Sequence, residues 1–179
     1  MGHLNIEIKA KCNRPDSIRA ILKERNATLK GIDRQRDTYF NCSNGRLKLR
    51  EGKIENFLIH YSREDQAGPK ESWVTLYQTE IGSSLKETLS KALGVLAVVE
   101  KSREIYFMGN VKFHIDVVDG LGSFIEIEAI DTVGEIGRGK LQRQCEEYLE
   151  LFRIEPNDLI ESSYSDMVLS SQRKGKRRV

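Results

Sequence analysis

Charged side chains recur at every second position in four short stretches of this 179-residue chain. Asn5-Ile6-Glu7-Ile8-Lys9-Ala10-Lys11, Arg46-Leu47-Lys48-Leu49-Arg50, His114-Ile115-Asp116-Val117 and Glu126-Ile127-Glu128 each alternate polar with apolar. Residues two apart on a strand share a face. One face is therefore charged, and the other holds Ile6, Ile8, Leu47, Leu49, Ile115, Val117, Ile125 and Ile127. A single strand of this kind reads as a solvent face. The sorting of charge by sign across several strands points instead to a lined cavity. Lys9, Lys11, Arg46, Lys48, Arg50, Arg63, Lys101 and Arg103 form its basic part, and Glu7, Asp116, Glu126 and Glu128 its acidic part. Eight cations against four carboxylates leave an enclosed space net positive, which is costly unless a ligand compensates. Arg matches phosphate oxygens by bidentate donation and Lys as a compact charge, and a linear triphosphate would present several such oxygens in a row. The carboxylates have only His114 as a nitrogen neighbour, which favours Mg²⁺ or Mn²⁺ over Zn²⁺.

Positioning those faces takes strands. Period-two alternation covers 4–12, 36–42, 45–50, 56–63, 71–79, 97–107, 110–118 and 122–130. Ser43-Asn44-Gly45, Gly109-Asn110 and Asp119-Gly120 suit tight hairpins, and Gln66-Ala67-Gly68-Pro69-Lys70 reads as a loop. Helical spacing marks 15–25, with Pro15 in its first turn, 83–93, closed by Gly94, and 134–152. Eight antiparallel strands predict an α+β fold: a closed eight-stranded antiparallel β-barrel with helices packed outside and a charged bore. An outer-membrane barrel is also polar inside and apolar outside, but these strands are short and helices intervene.

Composition bounds the partners. The length suits one domain. Charged residues make up 31% but net charge is only +2, so no nucleic-acid partner is expected. Three well-separated cysteines and no apolar leader predict a reducing, cytoplasmic setting. No apolar run approaches the roughly 18 residues of a membrane helix, so no membrane partner is expected. Residues 169–179 form a basic tail, predicted to be disordered. Either a monomer or a homodimer is compatible with the pattern.

Glu7-Ile8-Lys9, Gly45-Arg46-Leu47-Lys48-Leu49-Arg50, Lys101-Ser102-Arg103, Phe124-Ile125-Glu126-Ile127-Glu128 and Ser163-Tyr164-Ser165-Asp166 together resemble the CYTH superfamily of triphosphate tunnel metalloenzymes. The resemblance runs over about 4–168, so the tunnel domain is placed at 1–168. It implies a divalent-metal requirement, with Mg²⁺ or Mn²⁺ as cofactor, and a small-molecule triphosphate substrate. By that resemblance Glu7, Glu126, Glu128 and Asp116 are the catalytic, metal-ligating carboxylates. Lys9, Lys11, Arg46, Lys48, Arg50, Arg63, Lys101 and Arg103 are the substrate-binding walls. The family signature opens Glu-x-Glu-x-Lys, and here Asn5 stands in the first Glu position, which removes one negative charge from one metal position.

The expected function is a metal-dependent triphosphatase. One ion is placed on Glu7 and Glu128, a second near Asp116 and Glu126. A class IV-type adenylyl cyclase, making cyclic AMP and pyrophosphate from ATP, is the runner-up. Asn5 motivates a third reading, a non-catalytic polyphosphate-binding module. His114 reads as a hydrogen-bonded filler ahead of an acid or base, Trp73 and Tyr77 as wall residues, Lys70 as a surface lysine, and Glu146 and Glu147 as a helix's wet face.

Overall fold

Strands carrying polar residues on one face and β-branched residues on the other can hide both only by curling around the polar face. The computed structural model does this, and it describes residues 2–176. The strands are β1 (His3–Lys11), β2 (Thr28–Phe40), β3 (Arg46–Glu51), β4 (Phe57–Arg63), β5 (Lys70–Gln78), β6 (Val95–Met108), β7 (Val111–Val118) and β8 (Gly122–Asp131). They close into an antiparallel barrel in the order β1-β5-β4-β3-β2-β6-β7-β8.

The helices are α1 (Pro15–Glu24), α2 (Leu85–Leu93), α3 (Arg138–Leu151) and α4 (Tyr164–Lys176). Ile18 and Leu22 of α1 and Leu141 and Cys145 of α3 pack on the outward residues of β1, β7 and β8, among them Ile6, Ile8, Phe113, Ile115, Ile125 and Ile127. A second cluster joins Tyr39, Val99, Val118 and Phe124 to Tyr164 of α4. The helices do not cover the whole barrel: Trp73 and Tyr77 point outward from β5 and are largely exposed. Gly94 ends α2 at φ +72, as the sequence predicts, and a Cβ there would press on the Asn41 amide. No helix among the described residues is long and apolar enough to cross a membrane.

Two elements differ from the sequence pattern. β2 starts at Thr28 rather than 36, with a register shift at Gly31. Its Asp33, Gln35 and Asp37 are buried while Arg34 and Arg36 stay exposed. With polar residues on both faces, no hydrophobic alternation marks it. The C-terminal segment is helical through Lys176 where disorder is predicted from 169, and 177–179 lie outside the described residues.

Candidate functional site

The barrel encloses roughly 820 Å³ of space, open solvent at its mouth included. Asn5, Glu7 and Lys9 of β1, Lys48 and Arg50 of β3, Arg63 of β4, Ser72 of β5, Arg103 of β6, Lys112 of β7, and Glu126 and Glu128 of β8 line it. Phe57, Ile59, Tyr61, Val74 and Leu76 make an apolar side on β4 and β5. One end is sealed by the chain leading into α4. Ile160 donates its N–H to the Lys9 carbonyl at 2.8 Å. The Tyr164 hydroxyl donates to Asp116 at 2.9 Å, and its ring lies 3.8 Å from Lys9 Nζ. Lys70, predicted as a surface lysine, is buried there and donates to the carbonyls of Gln66, Ile160 and Glu161. Burial, with Arg63 and Lys9 nearby, pushes its pKa down to about 8.

Most cations of the bore are compensated by the protein itself. Asp37, fully buried, accepts Arg50 Nε and Nη2 at 2.9 Å each, Lys48 at 3.0 Å and Lys101 at 2.7 Å. Burial alone would raise its carboxyl, but Arg50, Lys101 and Lys48 outweigh that and hold it well below the usual range. Three cations on one carboxylate leave Lys101 poorly served. Its burial, only partly offset by Asp37, pushes its pKa down to about 7. Glu55 enters from the β3–β4 loop to accept Arg50 at 2.9 Å and Lys112 at 2.5 Å. Asp33 pins that loop by accepting the N–H groups of Lys53, Ile54 and Glu55 at 2.7–3.1 Å. A Cβ at Gly52 would run into the Asp33 carboxylate, so this turn requires glycine.

The remaining acidic wall is where a cation fits. The ligand atoms of His114, Glu126 and Glu128 all lie within 4.8 Å of one another. His114 Nδ1 is 3.2 Å from Glu126 and 3.6 Å from Glu128. Burial, reinforced by Arg103, lowers the imidazole pKa, so the ring is neutral at pH 7. Its buried Nε2 finds no hydrogen-bond partner among the described residues. Glu126 is shared by Arg103 at 2.6 Å and Lys9 at 3.2 Å. Glu128 has no lysine or arginine within ion-pair distance among the described residues. Glu7 sits directly opposite it in the β1–β8 register, and like charges so placed repel. Two carboxylates and a neutral imidazole, whose Nδ1 faces both of them, suit a divalent cation that would displace the Nδ1 proton.

Unmet hydrogen-bonding capacity concentrates just across β1. Arg63 pairs with Glu7 through Nη1, yet its buried Nε and Nη2 find no acceptor among the described residues. Asn5 Oδ1 and Ser72 Oγ, opposite each other in register, are likewise buried without partners. Buried polar atoms are almost always bonded, so this corner is built to receive polar atoms from a ligand.

Glu7, Lys9, Lys48, Arg50, Arg63, Arg103, Glu126 and Glu128 are thus brought to one bore. Four predicted residues are not. Asp116 is fully buried with both oxygens held by Arg103, at 2.7 and 2.5 Å, and Oδ2 also by Tyr164; it orients an arginine rather than facing a metal. Lys101 is sealed behind Asp37. Arg46 pairs with Asp65 at 2.7 Å and Asp166 at 3.1 Å, outside the bore lining. Lys11, at the exposed end of β1, lines a separate cavity beside α1. Of the carboxylates absent from that expectation, Glu55 lines the bore, while Asp33 and Asp37 are fully buried outside its lining. Lys112 also lines it, and its place two residues before His114 was a readable signal. Tyr39 of β2 also lines the bore; Glu146 and Glu147 are exposed on α3.

The CYTH domain family model matches residues 3–164. A protein of Methanocaldococcus jannaschii, provisionally named an adenylate cyclase, is 27% identical over 92% of this chain and 98% of its own. The PH1012 protein of Pyrococcus horikoshii superposes with a TM-score of 0.78 at 21% identity, covering 90% of this chain and 98% of that one. A Hippeastrum protein, a provisional adenylyl cyclase described as revealing a dominant triphosphatase activity, superposes with a TM-score of 0.56 at 15% identity, covering 93% and 94%. With the model matched over nearly its whole length and the barrel closed as that fold requires, the chain belongs to the CYTH family.

Proposed function

We propose that the chain is a divalent-metal-dependent triphosphatase that binds its substrate in the bore. CYTH membership supports triphosphate-tunnel chemistry; the carrying observation is local. The His114, Glu126 and Glu128 ligand atoms converge on one side of β1's inner residues, and the free donors of Arg63 converge on the other.

When bound by Glu128, Glu126 and His114, Mg²⁺ or Mn²⁺ would supply Lewis-acid charge neutralisation for the phosphoryl oxygens. Glu7, facing Glu128, completes the acidic wall. Arg63 donates Nε–H and Nη2–H to phosphate oxygens, and the Lys48, Lys112 and Lys9 ammoniums add charge along the chain. Arg50 has its donors taken by Asp37 and Glu55, so it sets the local field rather than gripping substrate. Water attacks the terminal phosphorus, the bond to its bridging oxygen breaks, and orthophosphate and the diphosphate leave. Electrostatic positioning of this kind is where phosphoryl transfer gains most of its acceleration.

The name of the M. jannaschii relative favours a second reading, in which the 3′-hydroxyl of ATP attacks the α-phosphorus and releases pyrophosphate. Tripolyphosphate, thiamine triphosphate and ATP, each incubated with Mg²⁺ or Mn²⁺, separate the two. Orthophosphate release supports the triphosphatase; cyclic AMP with pyrophosphate overturns it. Tight binding without turnover in saturating Mn²⁺ would make the chain a polyphosphate-binding module.

A further inference from the structure

The bore is lopsided. In the strand order, β4 and β5 stand across the barrel from β7 and β6. Charged groups line the bore from β1, β3, β6, β7 and β8, whereas β4 and β5 turn Phe57, Ile59, Val74 and Leu76 inward and, towards the Tyr164 end, Arg63 and Ser72. The asymmetry also runs lengthwise. Tyr164 closes the end marked by Lys9, Asp116 and Arg63. Phe57 begins β4, Leu76 ends β5 and Ile130 ends β8, so these three lie at the opposite, open end with His3. Leu76 is 45% exposed although it lines the cavity. A phosphate chain gains nothing from such a surface and would lose hydration against it, whereas an apolar or aromatic group would cover it.

Resting on the triphosphatase reading, we propose that the substrate is a triphosphate ester of an organic ring system rather than inorganic tripolyphosphate. The terminal phosphates go in first, towards Arg63 and the acidic wall. The ring stays at the open end against Phe57, Leu76 and Ile130. These three residues determine specificity without touching the reacting atoms.

The test measures binding and turnover separately, for tripolyphosphate, ATP and thiamine triphosphate. Calorimetry without added metal gives Kd, and phosphate release with Mn²⁺ gives kcat/KM. Wild-type protein is expected to hold at least one organic triphosphate about tenfold or more tighter than tripolyphosphate, a margin of about 1.4 kcal/mol. Leu76→Ser and Ile130→Ser, checked by melting temperature, should cut that preference several-fold, raising KM for the ester and leaving tripolyphosphate unchanged. Tripolyphosphate bound as tightly as every ester, or variants that weaken both ligands equally, overturns the inference. A binding preference without hydrolysis sinks the triphosphatase reading and leaves this one standing. No binding of any of the three sinks both.

Discussion

The two faces of β7 and β8 follow opposite rules one residue apart. Outward, Phe113, Ile115, Ile125 and Ile127 are buried against α1 and α3 with no charge among them. Inward, His114, Asp116, Glu126 and Glu128 sit among Arg103, Lys9 and Lys112. The outer layer gains stability in proportion to apolar area removed from water. The inner layer roughly breaks even, because desolvating each ion offsets most of its attraction to a partner. The barrel can therefore spend its interior on chemistry because its stability is secured on the outside. Substitutions on the two faces should consequently fail in different ways.

The largest effect is expected on the outer face. Phe113 is wholly buried and packs edge-on against Tyr148 and Phe152, with ring centroids 4.7 and 5.6 Å away. Phe113→Ala should cost about 3–5 kcal/mol by denaturant titration, while activity per folded molecule at low temperature is retained. Full stability would break the division of labour. On the inner face, Glu128→Ala should lower kcat/KM by about 100-fold or more and leave the melting temperature unchanged or raised, since Glu7 loses a like-charged neighbour. Unchanged rates would remove the metal assignment. Ligand binding should stabilise the wild type: tripolyphosphate plus Mn²⁺ at about 100 times Kd contributes roughly 2.7 kcal/mol, a rise of about 5–10 °C at this chain length. Glu128→Ala should show much less of it.

Acid separates the layers again. Arg50, outweighing burial, holds the Asp37 and Glu55 carboxyls below their ordinary values. Groups depressed in the fold contribute stability that is present above the unfolded pKa of about 4 and is lost as pH falls through the folded values. The contribution of these two carboxyls should therefore be flat above about pH 5 and fall steadily below about pH 4, with helical signal persisting longer than tripolyphosphate binding. A chain as stable at pH 2 as at pH 7 would mean the carboxylate network contributes nothing.

All eight strands were legible in the sequence, because the outward residues are apolar and the period of two is visible wherever only one face is polar. β1, β3, β7 and β8 show it best. The first half of β2 was not legible, since Asp33, Gln35 and Asp37 face in while Arg34 and Arg36 face out, leaving no contrast to read. The same blindness hid Asp37, the carboxylate that absorbs Arg50, Lys48 and Lys101. Charge sorting pointed to Arg63, Glu126 and Glu128, which do line the cavity, but alternation fixes only the face. It does not fix depth along the barrel, which is why Lys11 and Arg46 were overcounted and why Lys101 and Asp116, on the right face, proved sealed. Glu55 arrives from a loop whose shape Asp33 dictates, and no local pattern announces that.

Lys101 offers the finest test of how nearly the inner layer breaks even. It is fully buried, 2.7 Å from Asp37, with its pKa lowered to about 7. The unfolded chain keeps this proton up to about pH 10.4. Between about pH 7 and pH 10 the unfolded state thus binds more protons than the folded one, so stability from this group rises with pH, by at most about 1.4 kcal/mol per pH unit. Lys101→Met keeps the volume and discards the charge, and Arg50 and Lys48 still hold Asp37. At pH 7 the variant should match the wild type within about 1 kcal/mol or exceed it, as apolar replacements of buried ions often do. The wild type should then gain on the variant as pH is raised towards 10. A large loss at pH 7 would make this ion pair a net stabiliser. A difference constant from pH 7 to pH 10 would mean that Lys101 stays charged in the barrel, and that the inner layer tolerates three cations on one carboxylate without releasing a proton.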